Sequence, residues 1–202
     1  MSKVIAALAV SVDGYIGGKD PRDAVGGVGR GLGDAPMLFD WYFDGDTPSQ
    51  IFGSGFKLSE PSARLFDELA GRDGAVICGH TTYDHSSHFK SGSPHPTAPL
   101  VVLSHGEVAE INERQTLAHT IEEAVDAARA LAGDKDVGLM GGGVVASALA
   151  AGLLDEIVLH QVPVLLGAGR PFFGELPEHV DLELTEVVPA PGVTHLRYEV
   201  VR

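Results

Sequence analysis

The chain has 202 residues, with 28 acidic side chains against 14 basic ones, a formal net charge of −14, 44% hydrophobic content and one cysteine. That acidic balance repels a phosphate backbone and argues against nucleic acid or an anionic membrane surface as partner, while no apolar run approaches the roughly 18 residues of a membrane helix. A chain of this length buries one core without disulfides, so a single domain over residues 1–202 is expected. The apolar start Val4 to Val10 is short and runs into Ser11-Val12-Asp13-Gly14 without the pattern of a secretory leader, so the expected location is the cytoplasm.

Val4 to Val10 is nearly all apolar, as in a central strand covered on both faces. Glycine is frequent from Gly17 to Gly33, and an irregular excursion is expected there. Pro36 to Tyr42 reads as a short helix and Asp44 to Leu58 as a loop. Ser59-Glu60-Pro61 supplies a cap with proline in the first turn, opening a helix to about Ala70. Ala75 to Cys78 is a short buried strand, in which Cys78 reads as a small hydrophobe rather than a nucleophile. Leu100 to Leu103 is the next strand. Thr120 to Leu131 is a helix with a threonine cap and Glu122 and Glu123 in its first turn, stopped by Gly133.

Val137 to Met140 returns to the sheet and runs into Gly141-Gly142-Gly143, followed by a small-residue helix to Ala151. Glycines at the start of a helix let backbone N–H groups approach an anion, which makes this segment a candidate phosphate cradle. Glu156 to Val164 reads as a long strand. The alternating stretches Leu182 to Val188 and His195 to Val201 suit an antiparallel pair around Pro189-Ala190-Pro191-Gly192. The economical fold is a three-layer α/β domain, its mostly parallel central sheet carrying an antiparallel C-terminal edge.

Three segments carry a resemblance. Ala6 to Gly17, Ile77-Cys78-Gly79-His80-Thr81-Thr82-Tyr83-Asp84, and Gly141-Gly142-Gly143 with Leu153 to Glu156 and Pro163 to Phe173 resemble, in that order, the dihydrofolate reductase-like superfamily. The branch is similar to the reductase domain of bifunctional riboflavin-biosynthesis deaminase-reductases. The resemblance implies an NAD(P)H-dependent reductase, with NADPH preferred and NADH as the alternative. It implies that two glycine-opened helix starts hold the pyrophosphate: Gly79, His80, Thr81 and Thr82 on one side, Gly141, Gly142, Gly143, Val144 and Val145 on the other. Ala7 and Ile16 would face the nicotinamide carboxamide, and Ser104 the adenosine 2′-phosphate, with His105 assisting if protonated.

The chain departs from relatives in two places. His80 stands where they commonly carry arginine, which replaces a fixed charge by a titratable one; the plainer alternative is a solvated loop histidine. Ala63 occupies the position of the folate reductases' substrate carboxylate, which makes reduction of dihydrofolate an unlike activity. Asp13 and Asp67 are the carboxylates nearest the expected pocket and are candidates for proton transfer, each with a turn-stabilising or surface role as the plainer reading. His80, His85, His88 and His95 lack the spacing of a zinc site.

Three functions remain open. The leading one is hydride transfer to a small heterocyclic or carbonyl/imine substrate. The others are 5-amino-6-(5-phosphoribosylamino)uracil reduction and a catalytically inactive dinucleotide-binding sensor. A homodimer built on the apolar Val162 to Leu166 beside Phe172 and Phe173 is the expected assembly.

Overall fold

The computed structural model describes residues 2–19, 31–90, 92–108 and 111–202. Part of the glycine-rich excursion expected from Gly17 to Gly33 therefore lies outside the described residues. β1 (Val4–Ser11) is the strand about which the sheet is built. It pairs in parallel with β8 (Asp136–Met140) on one side and β9 (Glu156–Val162) on the other. β8 pairs in parallel with β5 (Asp73–Gly79), then follow β6 (Leu100–Leu103) and the edge strand β7 (Gln115–Ala118). On the far side β9 meets β12 (Val193–Val200), antiparallel, which carries β11 (Leu182–Ala190) as the outer edge. The expected mostly parallel sheet with an antiparallel C-terminal edge is thus observed, with eight strands.

Strand pleating sends alternate residues of β1 to opposite layers. Val4 and Ala6, with Ala75, Ile77, Val137 and Leu139, pack against α3 (Ile121–Ala132) and α4 (Gly142–Ala150). Ala7 meets Leu65 and Leu69 of α1 (Glu60–Arg72), and Ala9 meets the 3₁₀ segment Pro36–Tyr42 through Leu38 and Trp41. Thr120 caps α3 as expected, its hydroxyl accepting from the Glu123 amide at 3.2 Å. The small residues of α4 let it lie directly on the sheet.

Two stretches differ from the sequence reading. The segment expected as a loop from Asp44 to Leu58 contains the hairpin β3 (Thr47–Ser49) and β4 (Gly53–Leu58). β4 is mostly exposed, so backbone pairing rather than a buried apolar stripe defines it, and no hydrophobic period announces it. β7 is likewise an extra strand, short and with only Gln115 and Ala118 turned inward.

Ser59 precedes α1 with extended backbone, yet its side chain does not cap the helix; it donates to the Ser62 hydroxyl at 3.0 Å. Two short strands, β2 (Tyr15–Gly17) and β10 (Arg170–Pro171), pair beside the main sheet. Phe172, next to β10, is core at 1% exposure, and Val162 is buried, so only Leu165, 71% exposed, presents a large free surface in the proposed dimer patch.

α1 is anchored at its C-terminal end by ions. Arg72 forks onto Glu156 with two contacts of 3.0 Å and reaches Asp136 at 2.9 Å. Arg197 of β12 adds contacts to Glu156 at 3.4 Å and to Glu68 of α1 at 2.9 Å. Burial alone would raise the Glu156 carboxyl, yet Arg72, Arg197 and Lys3 hold it below its ordinary range. Removing one partner leaves a buried charge uncompensated. Arg72→Met is therefore expected to cost about 3 kcal/mol in urea unfolding, and adding Glu156→Gln to that variant is expected to restore part of the loss.

Candidate active site

The C-terminal ends of β5 and β8 are neighbours in the sheet, and each runs into a glycine and then a helix. Gly79 precedes α2 (His80–His85), and Gly141 precedes α4. No side chain caps either helix, so their first N–H groups are free donors among the described residues. Gly141 has φ +101°, a conformation that side chains rarely adopt, and a Cβ there would sit 2.7 Å from the Thr82 hydroxyl. A Cβ on Gly79 would sit 3.3 Å from Val144 Cγ2. The two turns interlock, each needing the other's missing side chain.

The three glycines of the triplet do different things. Gly142 is buried, and a Cβ on it would meet the Phe172 carbonyl at 2.8 Å and Ile16 Cδ1 at 3.0 Å, so its requirement is internal packing. Gly143 is exposed and a Cβ there would meet nothing within 4 Å. α4 is long enough for its dipole to favour an anion; α2, a six-residue helix, contributes chiefly amides and the Thr81 and Thr82 hydroxyls. These donors, free and grouped, fit the pyrophosphate of a dinucleotide.

Beyond the glycines, His80 Nδ1 lies 3.3 Å from the Ser104 hydroxyl, so a residue expected on the pyrophosphate is brought to the one expected at a 2′-phosphate. Asp84 lies 3.4 Å from the other nitrogen of His80. That carboxylate opposes anion binding where relatives' arginine would favour it.

On the α1 face of the sheet a cleft of about 170 Å³ opens between helix and strands. Its floor is Ile5 and Ala7 of β1 with Gly138 of β8, and Met140, the residue before Gly141, closes its upper end. Its walls include the aromatic rings of Tyr42, Phe52 and Phe66, part of a larger aromatic cluster. The cleft therefore includes Ala7, on the strand expected to face a nicotinamide, and reaches the residue before the second glycine turn. Ile16, by contrast, packs beside Gly142, buried at 7% exposure.

Neither carboxylate singled out from the sequence lines the cleft. Asp13 accepts from the Ser11 hydroxyl at 2.6 Å and from the amides of Gly167 and Leu166 at 2.7 and 3.1 Å. The Ser11 bond above all, with those amides, holds its carboxyl down to about 2, which makes it a turn anchor and a poor proton donor at neutral pH. Asp67 accepts from the Ser49 hydroxyl at 2.5 Å and the Gln50 amide at 2.9 Å, tying α1 to the β3–β4 hairpin. Ala63 is buried against the 3₁₀ segment.

Other groups meet the cleft that sequence reasoning did not single out. Asp73, at the start of β5, accepts no hydrogen bond from any described residue, and burial pushes its carboxyl up to about 7 against the pull of Arg72. A Cβ on Gly138 would lie 2.9 Å from its Oδ1, so the glycine makes room for it. His160, buried on β9, also lines the cleft. His95 is structural: its Nδ1 accepts from the Ala98 amide at 2.9 Å, leaving Nε2–H to reach the Ala70 carbonyl at 3.1 Å at the end of α1. Cys78 is fully buried and its thiol is pushed up to about 12 by burial, which leaves it inert.

A three-layer α/β sheet with free-amide turns at the strand ends and an apolar cleft beside them has the architecture of a dihydrofolate reductase-like reductase. The chain belongs to the family described as the RibD C-terminal domain, whose model matches residues 2–196. It is similar to the structure of a protein assigned to riboflavin biosynthesis in Shewanella sp. PV-4, with 25% identity, TM-score 0.68 and full coverage of both chains. A pyrimidine reductase-like protein from Corynebacterium diphtheriae shares the fold at 18% identity and TM-score 0.60, covering 100% of this chain and 92% of that one. Acinetobacter baumannii RibD shares it at 16% identity and TM-score 0.60, and there the whole chain spans only 58% of the larger protein. No curated protein matches the sequence. Among the described residues, no helix is long and apolar enough to cross a membrane.

The raised Asp73 carboxyl has a pH signature. Folding takes up its proton between the unfolded value near 4 and the folded value near 7, so stability falls as pH rises through that window. Asp73→Asn is expected to match the wild type in stability relative to its own baseline at pH 4 and to gain about 1 to 3 kcal/mol on it by pH 8. Parallel urea titrations across that range measure the difference.

Proposed function

We propose that this protein is an NADPH-dependent reductase that transfers hydride to a C=N or C=O carbon of a small planar substrate seated in the aromatic cleft. The observation that carries the reading is the interlocked pair of uncapped glycine turns, one of which follows directly on the cleft residue Met140. When bound, the dinucleotide supplies the hydride; the protein's work is binding, orientation and exclusion of water. The amides at the starts of α2 and α4 would bind the pyrophosphate, His80 and Ser104 the adenosine phosphate, and Ala7 the nicotinamide carboxamide, with Ile16 packed behind Gly142. Tyr42, Phe52 and Phe66 would stack on the substrate ring and exclude water.

The pyrimidine reductase of riboflavin synthesis is the second reading, favoured by the family match over nearly the whole chain. Its substrate carries a phosphate, and no lysine or arginine among the described residues lines the cleft. That difference sets the unphosphorylated substrate first. Self-association through the exposed Leu165, in a cytoplasmic homodimer, completes the proposal.

Titration of the purified chain with NADPH and NADH, followed by nicotinamide fluorescence, is expected to show saturable binding with NADPH the tighter. No saturation with either cofactor overturns the reading. NADPH oxidation across cyclic imines, quinones, pterins and ribosylaminopyrimidines separates an enzyme from a dinucleotide-binding sensor. Gly143→Asp is expected to weaken NADPH binding about tenfold or more, because its carboxylate would face the pyrophosphate. The melting temperature is expected to hold, since a carboxylate in the first turn favours the helix. Unchanged affinity would show that the pyrophosphate binds elsewhere.

A further inference from the structure

The hydride reading leaves one atom unsupplied. Reduction of C=N or C=O adds a hydride to carbon and needs a proton on nitrogen or oxygen. Asp13 is held ionised, Ala63 carries no acid, and Asp73, which meets the cleft with its carboxyl raised to about 7, has no hydrogen-bond partner among the described residues to resupply a proton. A different set of side chains leads into the cleft. His160, which lines it, has its Nδ1 2.8 Å from Nδ1 of His195. Nε2 of His195 lies 2.9 Å from the Ser62 hydroxyl, which receives the Ser59 hydroxyl at 3.0 Å. His160, His195 and Ser62 are each at most 2% exposed, while Ser59 is half-buried at the protein surface.

Strand register and helix position create this line. His160 and His195 are directly opposed across the antiparallel β9–β12 pair, on the face turned toward α1. Ser62 lies on α1 immediately before Ala63. The Trp41 ring packs on both imidazoles, with centroids 4.9 and 5.1 Å away, and shields them from bulk water.

Two Nδ1 atoms 2.8 Å apart share one proton, so the tautomers of the two rings are coupled. Burial pushes both imidazoles below their ordinary range, His195 to about 4, so both rings are neutral at pH 7. With the Ser59 hydroxyl donating to Ser62, the arrangement that leaves a proton facing the cleft has every donor pointing toward it. Ser62 O–H donates to His195 Nε2, His195 Nδ1–H donates to His160 Nδ1, and His160 presents Nε2–H. Nε2 of His160 has no partner among the described residues.

We infer that Ser59, Ser62, His195 and His160 form a proton relay from solvent to the cleft, with His160 Nε2–H as the proton donor to the reduced substrate. The inference rests on the reductase reading above. As hydride forms the new C–H bond, the C=N or C=O π pair moves onto the heteroatom and takes the proton of His160 Nε2. The His195 Nδ1 proton passes to His160 Nδ1, the Ser62 proton to His195 Nε2, the Ser59 proton to Ser62, and water resupplies Ser59. Each ring ends neutral with its tautomer reversed, and one solvent proton has been consumed. After product leaves, cleft water reprotonates His160 Nε2 and the line runs back, returning at Ser59 the proton taken up there. Over the whole turnover the proton kept by product is replaced from that water, and the line keeps His160 neutral during the transfer.

The first test needs no substrate. Long-range ¹H–¹⁵N spectra of the histidine-labelled full chain at pH 7 are expected to show His160 as the Nε2–H tautomer and His195 as the Nδ1–H tautomer. A charged ring, or His160 protonated on Nδ1 instead, overturns the relay. The second test uses whichever acceptor supports NADPH oxidation. Ser62→Ala is expected to lower kcat about tenfold and His160→Gln about 100-fold, with KM and NADPH affinity unchanged, while Ser62→Thr retains the hydroxyl and restores the rate. Equal turnover in Ser62→Ala and wild type overturns the relay and leaves the reductase reading standing. Failure of NADPH to bind overturns that reading first, and the relay's role with it.

Discussion

The cleft depends on how α1 is tied to the sheet. At its C-terminal end Arg72 is bound to Glu156 and Asp136, with Arg197 joining Glu68 to the same buried carboxylate. In its first turns Ser62 is bound to His195. Between these ties Leu69, Ala70 and Phe66 face a floor that includes Ala7 and Gly138, residues too small to fill the gap. A helix pinned at both ends over a floor of small side chains leaves room for a planar molecule. The ion cluster therefore contributes less as a source of net stability than as a spacer, in keeping with the near cancellation of attraction and desolvation for buried pairs.

Parallel pairing sets the second constraint. Because β1, β5 and β8 run the same way, Gly79 and Gly141 emerge side by side at one sheet edge, and the helices that follow bring uncapped amides to one place. This is how a chain of net charge −14 can offer a local anion site: the donors are backbone dipoles, which the surface charge count does not register. Acidic neighbours still matter at the periphery, where Asp84 competes for His80.

Much of this was legible from the residues. The apolar run of β1, the caps and charges of α3, and the glycine turns announced the sheet and the helix starts, because each is a local pattern with a local cause. The β3–β4 hairpin and β7 were not, since neither buries an alternating stripe. Within the candidate site, the individual duties of the glycine triplet were hidden. Only the approach of Phe172 and Ile16 separates the packing glycine, Gly142, from the open one, Gly143.

The carboxylates illustrate the limit most sharply. Asp13 and Asp67 stand in turn-like sequence and prove to hold loops through amide and hydroxyl bonds, while Asp73, which meets the cleft, is raised by burial that no local pattern predicts. His160 and His195 are single histidines in two strands, 35 residues apart. The only sequence signal that joins them is inward phase on two strands that a hairpin-like tail folds together, and the Nδ1–Nδ1 contact follows once the antiparallel register is known. A proton path built in this way leaves the helix position occupied by Ala63 free of charge. The aromatic wall of the cleft beside it stays apolar, and in the proposed relay the acid function falls to groups that are neutral whichever tautomer they adopt.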